Sequence, residues 1–281
     1  MRAPILFLIL LMCAAPCAAQ SDSTWTTEAQ GRVSFNQVGF YRWHDGGVSS
    51  LALGAGISGE AKKTAATLQH QHEARLTFGV VRQNGVDLRK SEDIIHLRSS
   101  FKFSRVPIFG ELSPVVTLEL RSQFADGFRY NDNNPTAETQ RISGFFSPAI
   151  LTQSMGLDYE ANSWVNLRLG VAAKQTVVTI RALRDRYKVS PDVLLRWQIG
   201  ASGLVIVERS VFTNVHLKST LTLFAAFNQP APDMIWETLV TMKVNSWLQV
   251  NTEYTAHLDK DLSPYIQQKQ ALTVGVSFRI L

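Results

Sequence analysis

From about residue 30 onward, apolar and polar residues alternate with a period of two. Leu51, Leu53, Ala55 and Ile57 interleave with Ala52, Gly54, Gly56 and Ser58, and Val165, Leu167, Leu169 and Val171 interleave with Asn166, Arg168 and Gly170. The last run sets Leu272, Val274, Val276, Phe278 and Ile280 against Thr273, Gly275, Ser277 and Arg279. Strict alternation marks strands with two chemically different faces. It predicts twelve of them, over 29–41, 48–61, 66–82, 94–105, 112–125, 145–160, 164–176, 194–208, 211–228, 234–246, 249–259 and 269–281.

Most of these runs are roughly twice the usual 5–6 residues of a soluble strand. A tilted strand needs about 9–11 residues to cross a bilayer. The connections alternate in length. Short ones fall at Lys62–Ala65, Val106–Glu111, Ala161–Ser163, Arg209–Ser210 and Ser246–Leu248; longer ones include Gln83–Asp93, Asp126–Gly144 and Gln175–Val193, with a brief Gln229–Asp233 link. In outer-membrane barrels the short turns face the periplasm and the long loops face outward. The expectation is an all-β fold, a closed antiparallel transmembrane β-barrel of about twelve strands occupying residues 20–281.

The chain begins differently. Arg2 precedes an apolar run from Ile5 to Met12 and a small-residue end through Ala19, the layout of a secretory signal peptide over residues 1–19. Both cysteines, Cys13 and Cys17, lie inside it, and neither follows the residues of a lipoprotein signal. Removing Arg2 with this segment leaves 27 of the 28 Lys/Arg against 23 Asp/Glu and no disulfide. The formal charge of +5, without a dense basic cluster, gives no footing for nucleic-acid binding, and 45% apolar residues exclude a disordered chain. An outer-membrane location in a Gram-negative bacterium follows, with lipid and the barrel-assembly machinery as the expected partners; a solute or protein partner is unassigned.

Asn36 and Gln37, followed by Phe40, Tyr41, Arg42, Trp43, His44, Asp45, Gly46, Gly47, Val48, Ser49 and Ser50, resemble a signature of uncharacterised exported Bacteroidota proteins. That family is domain of unknown function 3078 (DUF3078). Its members carry an Asn before the Trp, where this chain has Arg42. Phe146-Ser147-Pro148-Ala149 and Gly156-Leu157-Asp158-Tyr159 resemble later landmarks of the same family, so the resemblance extends over nearly the whole mature chain. It implies an outer-membrane barrel of no established activity, and no catalytic residue is carried over.

Candidate sites are of two kinds. The loop motif Trp43, His44, Asp45, Gly46 and Gly47 sits in the first external connection, where its glycines suit a tight turn and the loop a ligand or partner contact. Alternation directs a second set into the lumen: Glu73, Arg75, Arg98, Lys102, Glu119, Arg121, Arg168, Lys174, Lys218, Glu237, Lys243, Glu253 and Arg279. Buried charges of both signs must pair or meet water, so they form either a salt-bridged plug or the lining of a small channel. His70 and His72 share a face and suit the headgroup level, and His257 stands near Glu253 and Asp259 in sequence. No metal or cofactor is expected.

The reading of first choice is non-enzymatic: small-solute passage, or a structural or binding role. An outer-membrane phospholipase-like enzyme is one alternative, with His44 before Ser49 and Ser50 but Gly46 where such enzymes carry Ser. A soluble periplasmic lipid-binding β protein, which needs an apolar interior, is the other.

Overall fold

The computed structural model describes residues 25–38, 49–83, 88–104, 109–130 and 140–280; the side chains of Val38 and Arg279 are outside that description. The expected signal segment lies outside the described residues. Twelve antiparallel strands close into one barrel. They are β1 (Thr26–Val38), β2 (Ser50–Thr64), β3 (Leu68–Gln83), β4 (Arg89–Phe103), β5 (Ser113–Ser122), β8 (Ala149–Asn162), β9 (Val165–Val177), β10 (Leu195–Phe212), β11 (Val215–Ala226), β12 (Asp233–Lys243), β13 (Leu248–Leu258) and β14 (Gln267–Arg279). A small hairpin, β6 (Gly127–Arg129) and β7 (Gln140–Ser143), is inserted between β5 and β8. Each barrel strand pairs with its sequence neighbour, and β1 against β14 closes the ring, with Arg32 opposite Ser277 and Ser34 opposite Gly275.

All twelve strands expected from alternation are present, with three local differences. The Arg209–Ser210 turn is instead strand, because Glu208 and Ser210 continue the ladder opposite Lys218 and His216, and the chain reverses after Phe212. The polar stretch from Asp126 contains the β6–β7 hairpin. The β9–β10 connection holds two 3₁₀ turns, Arg181–Leu183 and Asp185–Tyr187, around a knot of Val178, Leu183 and Val189. Seryl and tyrosyl hydroxyls anchor this knot. Ser147 Oγ accepts from the Thr179 and Ile180 amides at 3.0 and 3.1 Å, and Tyr187 donates to the Ile142 carbonyl at 2.7 Å.

The two faces of the sheet are inverted relative to a soluble protein. Leu169 (74% exposed), Leu272 (65%) and Ile199 (61%) point outward, while Asp158 and Asn251 (2% each) point inward. That distribution is the reverse of the apolar cavity a soluble lipid-binding barrel needs, and it overturns that reading. No helix among the described residues is long and apolar enough to cross a membrane, so any crossing is made by strands.

One wall is pinched. Gly156 and Gly170 are register partners on β8 and β9. A Cβ on Gly156 would lie 2.2 Å from the Leu169 carbonyl oxygen, and one on Gly170 would lie 2.2 Å from that of Met155. The obstacle is backbone, so the ladder itself would have to part. Gly170→Val is therefore expected to destabilise the barrel by about 1–3 kcal/mol, the usual cost of overpacking. The check is the temperature at which the folded band converts to the unfolded band on an SDS gel; an unchanged temperature contradicts the close approach.

Candidate functional site

Direct register places the inward charges next to one another. Glu73 and Glu119 both flank Arg98, on β3, β5 and β4, and Asp158 faces Arg168 across β8 and β9. Arg98 Nη2 reaches Glu119 Oε2 at 3.2 Å, while Arg121 Nε and His96 Nε2 reach Glu119 Oε1 at 2.6 and 2.8 Å. Arg98 Nη1 also stands 3.9 Å from Glu73. A second group is built on Glu253 and Glu92. Arg75 contacts them at 2.9 and 3.4 Å, and Arg32 at 3.4 and 4.0 Å.

Some pairs cross the lumen. Arg121 Nη2 donates to Glu237 Oε2 at 2.8 Å, joining β5 to β12, five steps apart in a ring of twelve. Lys218 Nζ lies 3.5 Å from Glu73 Oε1, joining β11 to β3, six steps apart and diametrically opposed. Arg75–Glu253 joins β3 to β13 over four steps. Long side chains therefore meet near mid-height from opposing walls.

A flanking cluster surrounds the buried Asp158 carboxylate. It receives Arg168 Nε at 3.0 Å, Lys102 Nζ at 3.0 Å and Asn166 Nδ2 at 2.8 Å. Lys102 is also bonded to Glu160, and Lys174 to Asp233 across three strand steps. Lys243 ends β12 opposite Gln249, exposed at the rim. Arg279 ends β14 opposite Gln30, and its side chain lies outside the described residues. So does the loop motif Trp43, His44, Asp45, Gly46 and Gly47.

The crossing pairs form a belt with a cavity at either end, and a pocket of about 120 Å³ bounded by Arg98, Glu119, Arg121, Lys174 and His257 lies between the two. One, about 380 Å³, opens toward the end that carries both termini and is lined by Glu28, Glu60, Glu73, Arg75 and Glu253. The other, about 580 Å³, lies at the far end under the β9–β10 connection and is lined by Lys174, Arg196, Gln198, His257, Asp259 and Asp261. Glu253 thus lines one cavity and His257 with Asp259 the other, which divides that sequence triplet. At the far-end wall, Gln198 Nε2 donates to Gln229 Oε1 at 2.9 Å, and Gln229 Nε2 donates to Asp261 Oδ2 at 2.9 Å. Arg196 donates to the same oxygen at 2.8 Å. Partial burial pushes the Asp261 carboxyl up, but the bonds from Gln229 and Arg196 outweigh it and hold the group below the ordinary carboxylate range.

Two further clusters go beyond sequence reasoning, which paired His70 with His72 but did not bring Trp25 and Phe101 to them or join Ser210, His216 and Glu208. His70 and His72 point outward at the termini end and pack on Trp25, with ring centroids 5.9 and 5.5 Å away, and on Phe101 at 5.2 and 5.7 Å. Ser210 Oγ lies 3.4 Å from His216 Nδ1, whose Nε2 is 3.1 Å from Glu208. This trio resembles a nucleophile–base–acid set, but it faces the lumen, away from lipid. The Ser–His distance exceeds the 2.6–3.2 Å of a working pair, and Lys218 claims the second Glu208 oxygen at 3.5 Å. The sequence signal for it was Glu208 and Ser210 two apart, facing His216 and Lys218 across a two-residue turn. No group of three or more His, Cys, Asp and Glu among the described residues is arranged to hold a metal.

The profile of a family described as a protein of unknown function (DUF3078) matches residues 35–128. The later landmarks at 146–149 and 156–159 lie outside that match, so it is shorter than the near-complete extent expected. No curated protein matches the chain. The translocator domain of the autotransporter NalP from Neisseria meningitidis is similar over 93% of this chain and 90% of its own, with 9% identity and a TM-score of 0.40. A COG4313 outer membrane channel from Pseudomonas putida F1 is similar over 93% of this chain and 96% of its own, with 10% identity and a TM-score of 0.41. OmpF from Salmonella typhi is similar over 92% and 97%, with 9% identity and a TM-score of 0.31. The barrel's own closed ladder, rather than these likenesses, fixes its fold.

Two outcomes follow from the geometry. Arg121→Ala strips Glu237 of its cross-lumen partner and Glu119 of one of three, and is expected to cost about 1–3 kcal/mol, the range for leaving half-buried charged acceptors without a donor. Arg121→Ala/Glu237→Ala should cost less than the two single changes summed, read from denaturant midpoints; strict additivity would mean that the pair does not couple. Because the Asp261 carboxyl is depressed, its contribution is complete above the unfolded value of about 3.9 and is lost only as pH falls through the lower folded value. The Gln229 side-chain amide resonance should therefore hold steady between neutral pH and the ordinary carboxylate range and move only in stronger acid.

Proposed function

We propose that this chain is an outer-membrane β-barrel whose lumen is closed at mid-height by ion-paired side chains, so that its role is structural or ligand-binding and it does not serve as an open pore. The observation that carries this reading is the meeting of Lys218 with Glu73, and of Arg121 with Glu237, from opposite walls. An open channel of this strand number would keep those side chains along their own walls.

The membrane assignment draws on the inverted faces and on two levels of outward aromatic residues. Trp25, Trp164 and Trp247 are exposed at the termini end, and Trp197 and Trp236 on the outer face toward the far end. Amphipathic rings favour the two headgroup levels. Four of the five termini-end connections have two to four residues, at 65–67, 163–164, 213–214 and 244–247, whereas the far-end β9–β10 connection runs from 178 to 194. That asymmetry orients the termini end to the periplasm and the far-end cavity outward. The His70–His72–Trp25 cluster then lies at the periplasmic headgroup level.

In planar bilayers the native barrel is expected to show no sustained porin-like steps. Replacing Glu73, Arg121, Lys218 and Glu237 together with Ala, which removes both fully crossing pairs without leaving either partner unpaired in them, should produce discrete larger steps. Large native conductance, or no gain on clearing the belt, would defeat the plugged-barrel reading.

A further inference from the structure

The far-end cavity has the composition of a ligand site. At about 580 Å³ it falls within the usual range for small-molecule pockets. Gln198 lines it, is 2% exposed, and its Oε1 is buried without a hydrogen-bond partner among the described residues. Chemistry fixes which end of that amide is free. The Asp261 carboxylate only accepts, so Gln229 must turn its NH₂ to Asp261 and its oxygen to Gln198. Gln198 must then spend its NH₂ on Gln229, which leaves its carbonyl oxygen unsatisfied. Buried amide oxygens are nearly always paired, so this one calls for a donor from an occupant.

Charge defines the rest of the occupant. Lys174 is neutralised by Asp233 and Arg196 by Asp261. Arg129 and Arg186 also line the cavity, and neither forms an ion pair with a carboxylate among the described residues. Two guanidinium groups thus stand outside these pairs against one lining carboxylate, Asp259, whose Oδ1 accepts the Asp261 amide, so the lining keeps an excess of one positive charge above a floor that needs a donor. Guanidinium matches carboxylate and phosphate.

We propose that the far-end vestibule binds a small hydroxylated organic anion, a sugar acid or sugar phosphate, with a hydroxyl donating to Gln198 Oε1 and the anionic group held by Arg129 and Arg186. The proposal rests on the plugged-barrel reading only in that the belt supplies the floor, and binding and conductance are read separately. Detergent-purified full-length protein would be titrated calorimetrically with galacturonate and glucose 6-phosphate, with glucose as the neutral counterpart. At least one anion should bind saturably, with glucose weaker by at least about tenfold. Arg129→Ala/Arg186→Ala should bring that anion to the level of glucose. Gln198→Leu should weaken both sugar and anion by a similar factor. The arginines sit on the hairpin and the β9–β10 connection, outside the barrel ladder, so the double variant tests the idea even if Gln198→Leu fails to fold. No saturable binding of either anion to the native protein, or binding unmoved by the arginine replacements, overturns the proposal whatever the conductance shows. A barrel that binds the anion yet conducts freely would overturn the plug and leave the site standing.

Discussion

Every backbone amide and carbonyl that faces hydrocarbon must find its partner within the protein, and in this chain that requirement is met by the β1–β14 ladder. Open at that seam, the sheet would present two unpaired edges to lipid. Closing it fixes an even number of strands, puts both ends of the barrel chain on one side and commits one face of every strand to the exterior. The inverted burial follows from the same commitment, since an apolar exterior of this length leaves the alternate positions to face each other across a confined lumen.

Confinement makes the inward charges a network. Exposed pairs such as Arg181–Asp192, with both side chains largely in solvent, contribute little. The belt is different because its members are shielded by the wall and by one another, and several carboxylates serve more than one cation. Glu119 is held by Arg98, Arg121 and His96, and Glu253 by Arg75 and Arg32. Removing one cation strands several acceptors, which ties strands far apart in the ring into one unit.

The barrel was legible in the sequence because its cause is local. A period of two over a dozen residues needs no knowledge of partners, and the strand limits observed differ from the alternation by only a few residues. The inward position of Glu119 or Arg168 could be read by parity alone. Who meets whom could not. Arg121 and Glu237 are 116 residues apart, and their bond depends on ring order, on stagger and on the reach of two side chains. The trio Glu208, Ser210 and His216 was hidden by placing a turn four residues early. The β6–β7 hairpin was hidden because its short, polar strands carry no alternating signal. Gln198 was invisible as a site for another reason: a neutral amide in an alternating strand looks ordinary until its donor is seen to be spent.

A lumen filled with apolar side chains would also exclude water, so the choice of ion pairs calls for a reason. If both faces of each strand were apolar, a one-residue slip in pairing would exchange two equivalent surfaces at little cost. With Glu, Arg and Lys on alternate positions, the same slip drives several charges into lipid at a few kcal/mol each near the midplane. The charged interior thereby specifies register during closure. It also sets the character of the finished barrel. Water entering from either cavity can solvate a parted Lys218–Glu73 or Arg121–Glu237 pair, whereas it could not compensate a parted apolar core. The interactions that fix the register are therefore the same ones that cross the lumen, Lys218–Glu73 and Arg121–Glu237 among them.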